Sequence, residues 1–167
     1  PYGLVALDNE PVVHINFNEA ENYCKWNKKR IPSIKEWELA AYTEFRLNNK
    51  DGYKFKKSYP YPTGENTLGL NCLNDCNFNY PSKYSKFLLR GYGHVSTFST
   101  KKGINGLYDM GGNVWEWVDI NDNFHKGTKG GSWWYGNNQM IQGYNATKPK
   151  NMSAVYIGFR CVKDFKN

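Results

Sequence analysis

Two carboxylates flank a glycine-containing bend in the segment 103–132. Asp109 and Glu116 stand on either side of the sequence Gly-Gly-Asn, within GLYDMGGNVWEW. Carboxylate oxygens, together with carbonyls exposed by such a bend, are ligands that Ca²⁺ takes in sets of six to eight. The same carboxylates could instead accept hydrogen bonds from backbone amides in a tight turn. The residues taken alone leave the tight turn slightly ahead of the calcium site.

An aromatic block follows this bend, and it either belongs to the core or lines a binding surface. Four of the six tryptophans fall between positions 115 and 134. Rings of this size are either buried or used to line a site. An aromatic cluster with Ser132, Tyr135 and Asn137 could line a groove for a peptide or a sugar. The same cluster could equally form the core.

Acid–base and nucleophilic catalysis find little support in the sequence. His14, His94 and His125 are isolated and occur in unrelated contexts. The chain has no HExxH, GxSxG or P-loop pattern. We therefore predict no catalytic residue among the histidines and expect each to be a core or surface residue.

The composition limits the class of partner. The chain has 167 residues and a net charge of +7, but its basic residues occur in short separate runs. A nucleic-acid interface would need a basic stripe, so we expect no nucleic-acid partner. No apolar run is long enough to span a membrane. The first residues resemble a trimmed piece of a longer protein.

Four cysteines in a loop-rich chain suggest disulfides, with buried free thiols as the alternative. Cys72 and Cys76 could close a small local loop. A zinc site there is the weaker interpretation, because no second pair of cysteines or histidines lies nearby.

Two helices are predicted near the N-terminus, and each begins with a capping box. Asn16 with Glu19, and Ser33 with Glu36, provide the reciprocal cap pattern. Apolar residues at i, i+3 and i+4 then predict helices over about 17–27 and 34–45.

Short strands are predicted after residue 102, together with one near the N-terminus. Periodicity is absent from 48 to 100, which predicts a long irregular region. The predicted strands cover 12–15, 114–119, 130–134, 140–144 and 156–162. These elements indicate an α+β domain with long loops and short antiparallel strands.

Several phrases occur in a fixed order: PVVHINFNEAENYCKWNKKRIPSIKEWELAAY, GLYDMGGNVWEW, KGGSWW and IGFRCV. Together they resemble the formylglycine-generating-enzyme family, also called sulfatase-modifying factors, over about residues 11–162. The resemblance implies a variant of the C-type-lectin-like fold, in a single domain over 1–167 that lacks its N-terminal part. It also implies a disulfide between Cys24 and Cys161, worth about 4–5 kcal/mol in the chain-entropy model.

The family carries structural calcium at the motif around GLY-x-x-x-GN-x-WEW. Carried over, the ligands would be the Asp109 and Glu116 side chains and the Gly112 and Val114 carbonyls. The resemblance therefore makes structural Ca²⁺ the expected cofactor. A second family site is not expected, because Arg90 stands at the position of an acidic ligand and a guanidinium cannot bind a cation.

The chain departs from the family at the copper site. Active members oxidise a substrate cysteine with O₂, using copper held by cysteines three and eight residues after the serine of GGS. Counted from Ser132, these positions are Tyr135 and Met140. Neither supplies the thiolate that Cu(I) requires, so copper and formylglycine-generating activity are not expected. The histidine-rich set of the family's iron-dependent sulfoxide synthases is also missing.

We therefore predict a non-catalytic module that binds a peptide, protein or small molecule in the former substrate groove. That groove would be lined by Ser132, Trp133, Trp134, Tyr135, Asn137 and Met140. The alternative is a metal-dependent oxidoreductase with altered ligands, supplied by a partner or by the missing N-terminal segment, with which the domain could associate. Disulfides and calcium together predict a periplasmic, cell-surface or secreted location.

Overall fold

The structure, a computed structural model, describes residues 4–78 and 82–164. Two helices precede a sheet of four short strands. The helices are α1 (Phe17–Trp26) and α2 (Ile34–Tyr42), and the strands are β1 (Trp115–Val118), β2 (His125–Lys129), β3 (Ala146–Pro149) and β4 (Ile157–Gly158). This arrangement confirms the predicted α+β class with little regular structure.

Both predicted capping boxes are formed at the starts of the helices. The Asn16 side chain accepts a hydrogen bond from the Glu19 amide at 3.0 Å, and Ser33 Oγ accepts one from the Glu36 amide at 3.3 Å. The returning bonds from both glutamates are also present, so each box satisfies two amides at a helix start. Helix α2 ends three residues before the predicted position because Thr43 is extended.

The strand predictions were right for 114–119 and wrong for three other segments. Residues 12–15 are not a strand, since His14 has φ +59. The 130–134 prediction fails because Gly130 and Gly131 have φ +90 and +70, and the strand β2 lies just before them. The 140–144 prediction fails because Met140 ends a 3₁₀ turn and residues 141–143 form a bend and turn, and the last strand shrinks from 156–162 to β4.

The sheet has the order β3-β2-β1-β4, with β1 in its interior. Neighbours β3, β2 and β1 are antiparallel, as predicted, but β4 pairs with β1 in parallel. All four residues of β1 are buried, and residues of this strand pack against both helices. Trp115 and Trp117 pack in the cluster of α1, and Val118 packs in that of α2.

Two disulfides hold the loops: the pair that the family resemblance implied, and the local pair favoured over a zinc site. Cys24–Cys161 joins α1 to the segment after β4 across 137 residues. Cys72–Cys76 closes a local loop within the irregular region. The described part of 48–100 contains no α-helix or strand, only one short 3₁₀ turn, which confirms the predicted irregular region. Where regular backbone hydrogen bonding is missing, disulfides and side-chain hydrogen bonds hold the chain together.

Candidate functional site

The Asp109–Glu116 loop borders a cavity of about 400 Å³. Three residues of this loop adopt left-handed conformations: Asp109 (φ +59), Gly112 (φ +71) and Asn113 (φ +55). A Cβ atom at Gly112 would lie 2.3 Å from the Asn71 carbonyl oxygen, so only glycine fits there. The bend inferred from the sequence is therefore a tight loop that brings both carboxylates to one cavity.

Glu116 is buried in β1 and is held on three sides. Its carboxylate accepts from Arg160 Nε at 2.6 Å and Nη2 at 2.5 Å, and from Trp37 Nε1 at 2.7 Å. Bidentate guanidinium–carboxylate pairs are among the stronger polar contacts in proteins. This network ties β1, α2 and the segment after β4 together. The sequence analysis did not identify Arg160 as a site residue. A usable signal was its position in the GFRC motif, directly before the disulfide-bonded Cys161.

Asp109 forms no ion pair among the described residues, although the charge of Arg160 lies near enough to act on it. The Asp109 oxygens accept from Thr100 Oγ1 at 2.7 Å and from the Phe98 amide at 3.1 Å. Burial raises the pKa of the Asp109 carboxyl, and the nearby Glu116 charge acts in the same direction. A bound cation would remove this penalty.

Of the four residues that the family resemblance implies as calcium ligands, Asp109, Val114 and Glu116 line the same cavity. The Asp109 carboxylate accepts two hydrogen bonds and keeps further acceptor positions, whereas both oxygens of Glu116 already accept from Arg160. The positive charge of Arg160 disfavours binding of a cation beside Glu116. No three His, Cys, Asp or Glu side chains gather anywhere in the described residues, so carbonyl oxygens would have to complete the coordination.

Three of the six predicted groove residues lie in the interior. Ser132, Trp133 and Met140 are each at most 1% exposed. Met140 packs beside the Cys72–Cys76 disulfide and Leu70. Its carbonyl accepts a hydrogen bond from the Tyr42 hydroxyl at 3.0 Å. These three residues pack below the surface of the segment and contribute little exposed area to it.

The other three predicted residues, Trp134, Tyr135 and Asn137, are half-buried and reach the surface. The rings of Trp134 and Tyr135 both contact Tyr156, at centroid distances of 5.9 and 5.7 Å. Tyr135 also contacts Trp115 at 5.5 Å. We call Trp134, Tyr156, Tyr135 and Trp115 the aromatic row. Burial, with the adjacent Tyr156 hydroxyl, raises the pKa of Tyr135 to about 12.

Tyr156 and Arg90 were not predicted to belong to this surface. Tyr156 comes just before β4, whose pairing with β1 carries it to the row. Arg90 Cζ lies 5.9 Å from the centroid of the Trp134 ring. The adjacent Gly91 packs against Trp133, where a Cβ atom would lie 2.7 Å from the carbonyl oxygen. No local pattern in the sequence indicated either contact.

The histidines do not form a site. His14 and His125 are exposed, whereas His94 is buried against the Tyr84 ring at 4.5 Å. The His94 Nε2 atom is 3.9 Å from a Glu10 carboxylate oxygen. Burial lowers the pKa of His94 to about 4, so the ring is neutral at pH 7.

The loop-rich fold, the capped helices and the Asp109–Glu116 loop define a class of protein related to sulfatase-modifying factors. The sequence model of the sulfatase-modifying factor enzyme 1-like domain matches residues 3–165. The chain belongs to this family. In the described residues, no helix is both long enough and apolar enough to cross a membrane.

Curated relatives show how much of the family protein this chain represents. It is 36% identical over 109 residues to the inactive C-alpha-formylglycine-generating enzyme 2 of Bos taurus, covering 65% of this chain and 32% of that one. It is 28% identical over 182 residues to the formylglycine-generating enzyme of Mus musculus, covering 96% and 46%. The chain therefore spans less than half the length of these relatives.

A solved structure supports the fold. PvdO from Pseudomonas aeruginosa superposes with a TM-score of 0.66 at 18% identity, over 93% of this chain and 62% of that one. At this identity the likeness concerns the fold alone.

Proposed function

We propose that this domain is a binding module of the sulfatase-modifying-factor family and lacks formylglycine-generating oxidase activity. One observation carries the proposal: the two positions of the family's copper ligands hold Tyr135 and Met140. The first is part of the aromatic row, and the second is buried beside the Cys72–Cys76 disulfide. Both positions have therefore become packing positions.

The chemistry of the two side chains supports this conclusion. Cu(I) sites of this kind depend on soft thiolate sulfur. The Tyr135 pKa of about 12 keeps its hydroxyl protonated at neutral pH, so it offers no anionic ligand. Met140 is soft but neutral, and its side chain fills space beside Gly112 and Gly131. The bovine relative is itself named as an inactive enzyme.

The binding surface would be the exposed part of the predicted groove. Trp134, Tyr135 and Asn137 reach solvent there, next to Tyr156. Half-buried aromatic rings offer rigid contact area whose ordering costs little entropy, and such rings are enriched at interfaces. A peptide, protein or small-molecule ligand fits this chemistry.

Calcium would have a structural role in this proposal. Asp109 and Glu116 would provide carboxylate oxygens, and Gly112 and Val114 would provide carbonyls. The ion would compensate the buried Asp109 charge and hold the loop against β1. Together with the two disulfides, this supports a periplasmic, cell-surface or secreted location.

Metal analysis tests the proposal. The chain is loaded separately with Cu(I) and Fe(II) under reducing conditions that preserve the disulfides, desalted, and analysed by mass spectrometry of the elements. We expect far less than one equivalent of either metal. One equivalent of copper or iron, retained after desalting and lost on substitution of Met140 by leucine, would favour the altered oxidoreductase instead.

A further inference from the structure

Two cations flank the aromatic row, and neither has an acidic partner among the described residues. Arg90 is exposed, and its guanidinium lies against Trp134 at one end. At the other end, Lys148 Nζ lies 5.4 Å from the centroid of the Trp115 ring. Between these ends, the centroids of neighbouring rings are 5.5–5.9 Å apart, so the row is continuous.

Lys148 is the more unusual of the two cations. It lies half-buried on β3, an edge strand of the sheet. Burial lowers its pKa, and no carboxylate acts in the opposite direction. The neighbouring Lys126, which pairs with Lys148 in the β2–β3 register, is bound to Asp119 at 2.6 Å. Lys148 therefore carries a desolvation cost that a ligand anion would offset.

The indole donors of the same region also lack acceptors. Trp115 Nε1 and Trp133 Nε1 are buried and have no hydrogen-bond partner within the described part of the chain. Trp133 contacts Trp134 at 5.2 Å, and Trp115 contacts Tyr135, so both adjoin the row. Buried donors are rarely left unpaired. Both indoles are only 1% exposed, so among these unpaired groups only the two cations can contact a ligand.

The surrounding sequence has an excess of positive charge. No Asp or Glu occurs between Asp75 and Asp109. Lys83 and Lys102, from the same stretch, are paired with Glu10 and Asp51 of other segments. Arg90 has no such partner in residues 4–78 and 82–164 and remains available for a ligand.

We propose that the aromatic row binds an acidic peptide segment. One ligand carboxylate would pair with Arg90 and another with Lys148, while an aromatic or apolar ligand side chain would pack on Trp134 and Tyr156. This inference rests on the proposed binding function and adds the chemistry of the ligand.

A peptide suits the arrangement better than a nucleic acid does. Nucleic-acid grooves neutralise successive phosphates with many lysines and arginines along the backbone. Here the cations stand at the ends of the row, with rings and tyrosine hydroxyls between them. Two separated carboxylates with an apolar side chain between them match that pattern.

Fluorescence anisotropy with defined peptides tests the inference. The probe is a fluorescein-labelled peptide of three Glu-Tyr repeats, and its isostere with three Gln-Tyr repeats is the matched control. We expect the acidic peptide to bind at least about 10-fold more tightly, since two charge-assisted contacts are lost in the isostere. Raising the salt concentration should reduce this difference.

Variants locate the contacts. Arg90→Gln and Lys148→Gln should each weaken binding of the acidic peptide about 5- to 10-fold and leave the isostere unchanged. Lys50→Gln removes one exposed lysine that has no ion pair in the described residues, and it should change binding less than 2-fold. All three variants should keep the melting temperature of the parent chain, which shows that the fold is intact.

Different results would overturn different claims. Equal affinity for both peptides, lost on Trp134→Ala, would leave the binding function standing and refute the acidic ligand. Tighter binding of single-stranded oligothymidine than of the acidic peptide would refute the peptide assignment. If the acidic peptide does not bind at all, the acidic ligand is wrong. The proposed binding function would fail with it only if the metal analysis also found a retained redox metal.

Discussion

Two tryptophan-rich regions of this chain differ in how completely their polar groups are paired. Around Glu116, Trp37 Nε1 donates to the carboxylate and Arg160 binds it through two nitrogens. Around Trp134, two buried indole N–H groups lack acceptors in the described residues, and Arg90 lies against the Trp134 ring with no carboxylate partner there. The first region closes its contacts within the fold, whereas the second leaves contacts that a ligand could make.

This difference separates what holds the fold from what is available for binding. Removing one member of a closed buried network leaves an uncompensated charge and costs several kcal/mol. Removing a partly exposed cation that has no partner should cost the fold little. Substitutions should therefore unfold the chain when made in the first region and alter binding when made in the second.

The largest effect should come from the long disulfide. Replacing Cys24 and Cys161 by alanine frees a loop of 137 residues, for which the chain-entropy relation gives about 5 kcal/mol. Replacing Cys72 and Cys76, which are four residues apart beneath Met140, should cost only about 2 kcal/mol. Urea unfolding of both double variants measures the two losses. Equal losses would contradict the expectation that the disulfide closing the longer loop contributes more to stability.

Glu116→Gln should be the next most damaging change. It leaves the partly buried Arg160 guanidinium without its counter-charge, so we expect a loss of about 3 kcal/mol, measured by urea unfolding in excess chelator. The double variant Glu116→Gln/Arg160→Met removes both charges and should recover part of that loss. If the loss of stability in the double variant equals the sum of the losses in Glu116→Gln and Arg160→Met, the pair does not act as a unit.

Calcium removal should have an intermediate effect. At a calcium concentration 100-fold above the dissociation constant, binding stabilises the folded state by about 2.7 kcal/mol. A chelator should then lower the melting temperature by about 5 °C or more for a chain of this size. Asp109→Ala should abolish the difference between calcium and chelator. A melting temperature that does not respond to calcium in the parent chain would count against the site.

The smallest effect concerns pH and the cluster of His94, Glu10 and Tyr84. His94 has a pKa of about 4, below the ordinary value of 6.5, because burial disfavours the imidazolium. The unfolded chain therefore binds the proton first as the pH falls, and stability is lost between about pH 6.5 and 4.

His94→Gln should flatten the stability profile in that pH interval, as followed by urea unfolding at a series of pH values. The profile below pH 4.5 should stay steep in the variant, since it reflects the carboxylate of Glu36, whose pKa the Arg30 guanidinium lowers to about 2. An unchanged slope between pH 6.5 and 4.5 would mean that His94 is solvated in the folded state.

Local features were predictable from the sequence, and long-range contacts were not. The capping boxes at Asn16 and Ser33 use residues three positions apart, so the pattern alone located both helices. The strand predicted over 130–134 failed because two glycines take positive φ, which sequence periodicity does not show. Arg160 meets Glu116 across 44 residues through the parallel pairing of β4 with β1, and no local pattern encodes that pairing.

The candidate site divides in the same way. The motif around Asp109 and Glu116 could be read because its residues lie close together along the chain. The aromatic row was identified only in part from the sequence, because Tyr156, Arg90 and Lys148 lie outside the segment that contains Trp134 and Tyr135. The row therefore had to be found from the folded chain.

The most direct test of the central claim is oxygen uptake by the copper-loaded chain in the presence of a cysteine-containing peptide and a reductant. A scaffold that keeps the family fold but has Tyr135 and Met140 at the copper positions should show no uptake above that of copper and reductant alone. Uptake that depends on both the chain and the peptide, with conversion of the peptide cysteine to formylglycine, would contradict the account.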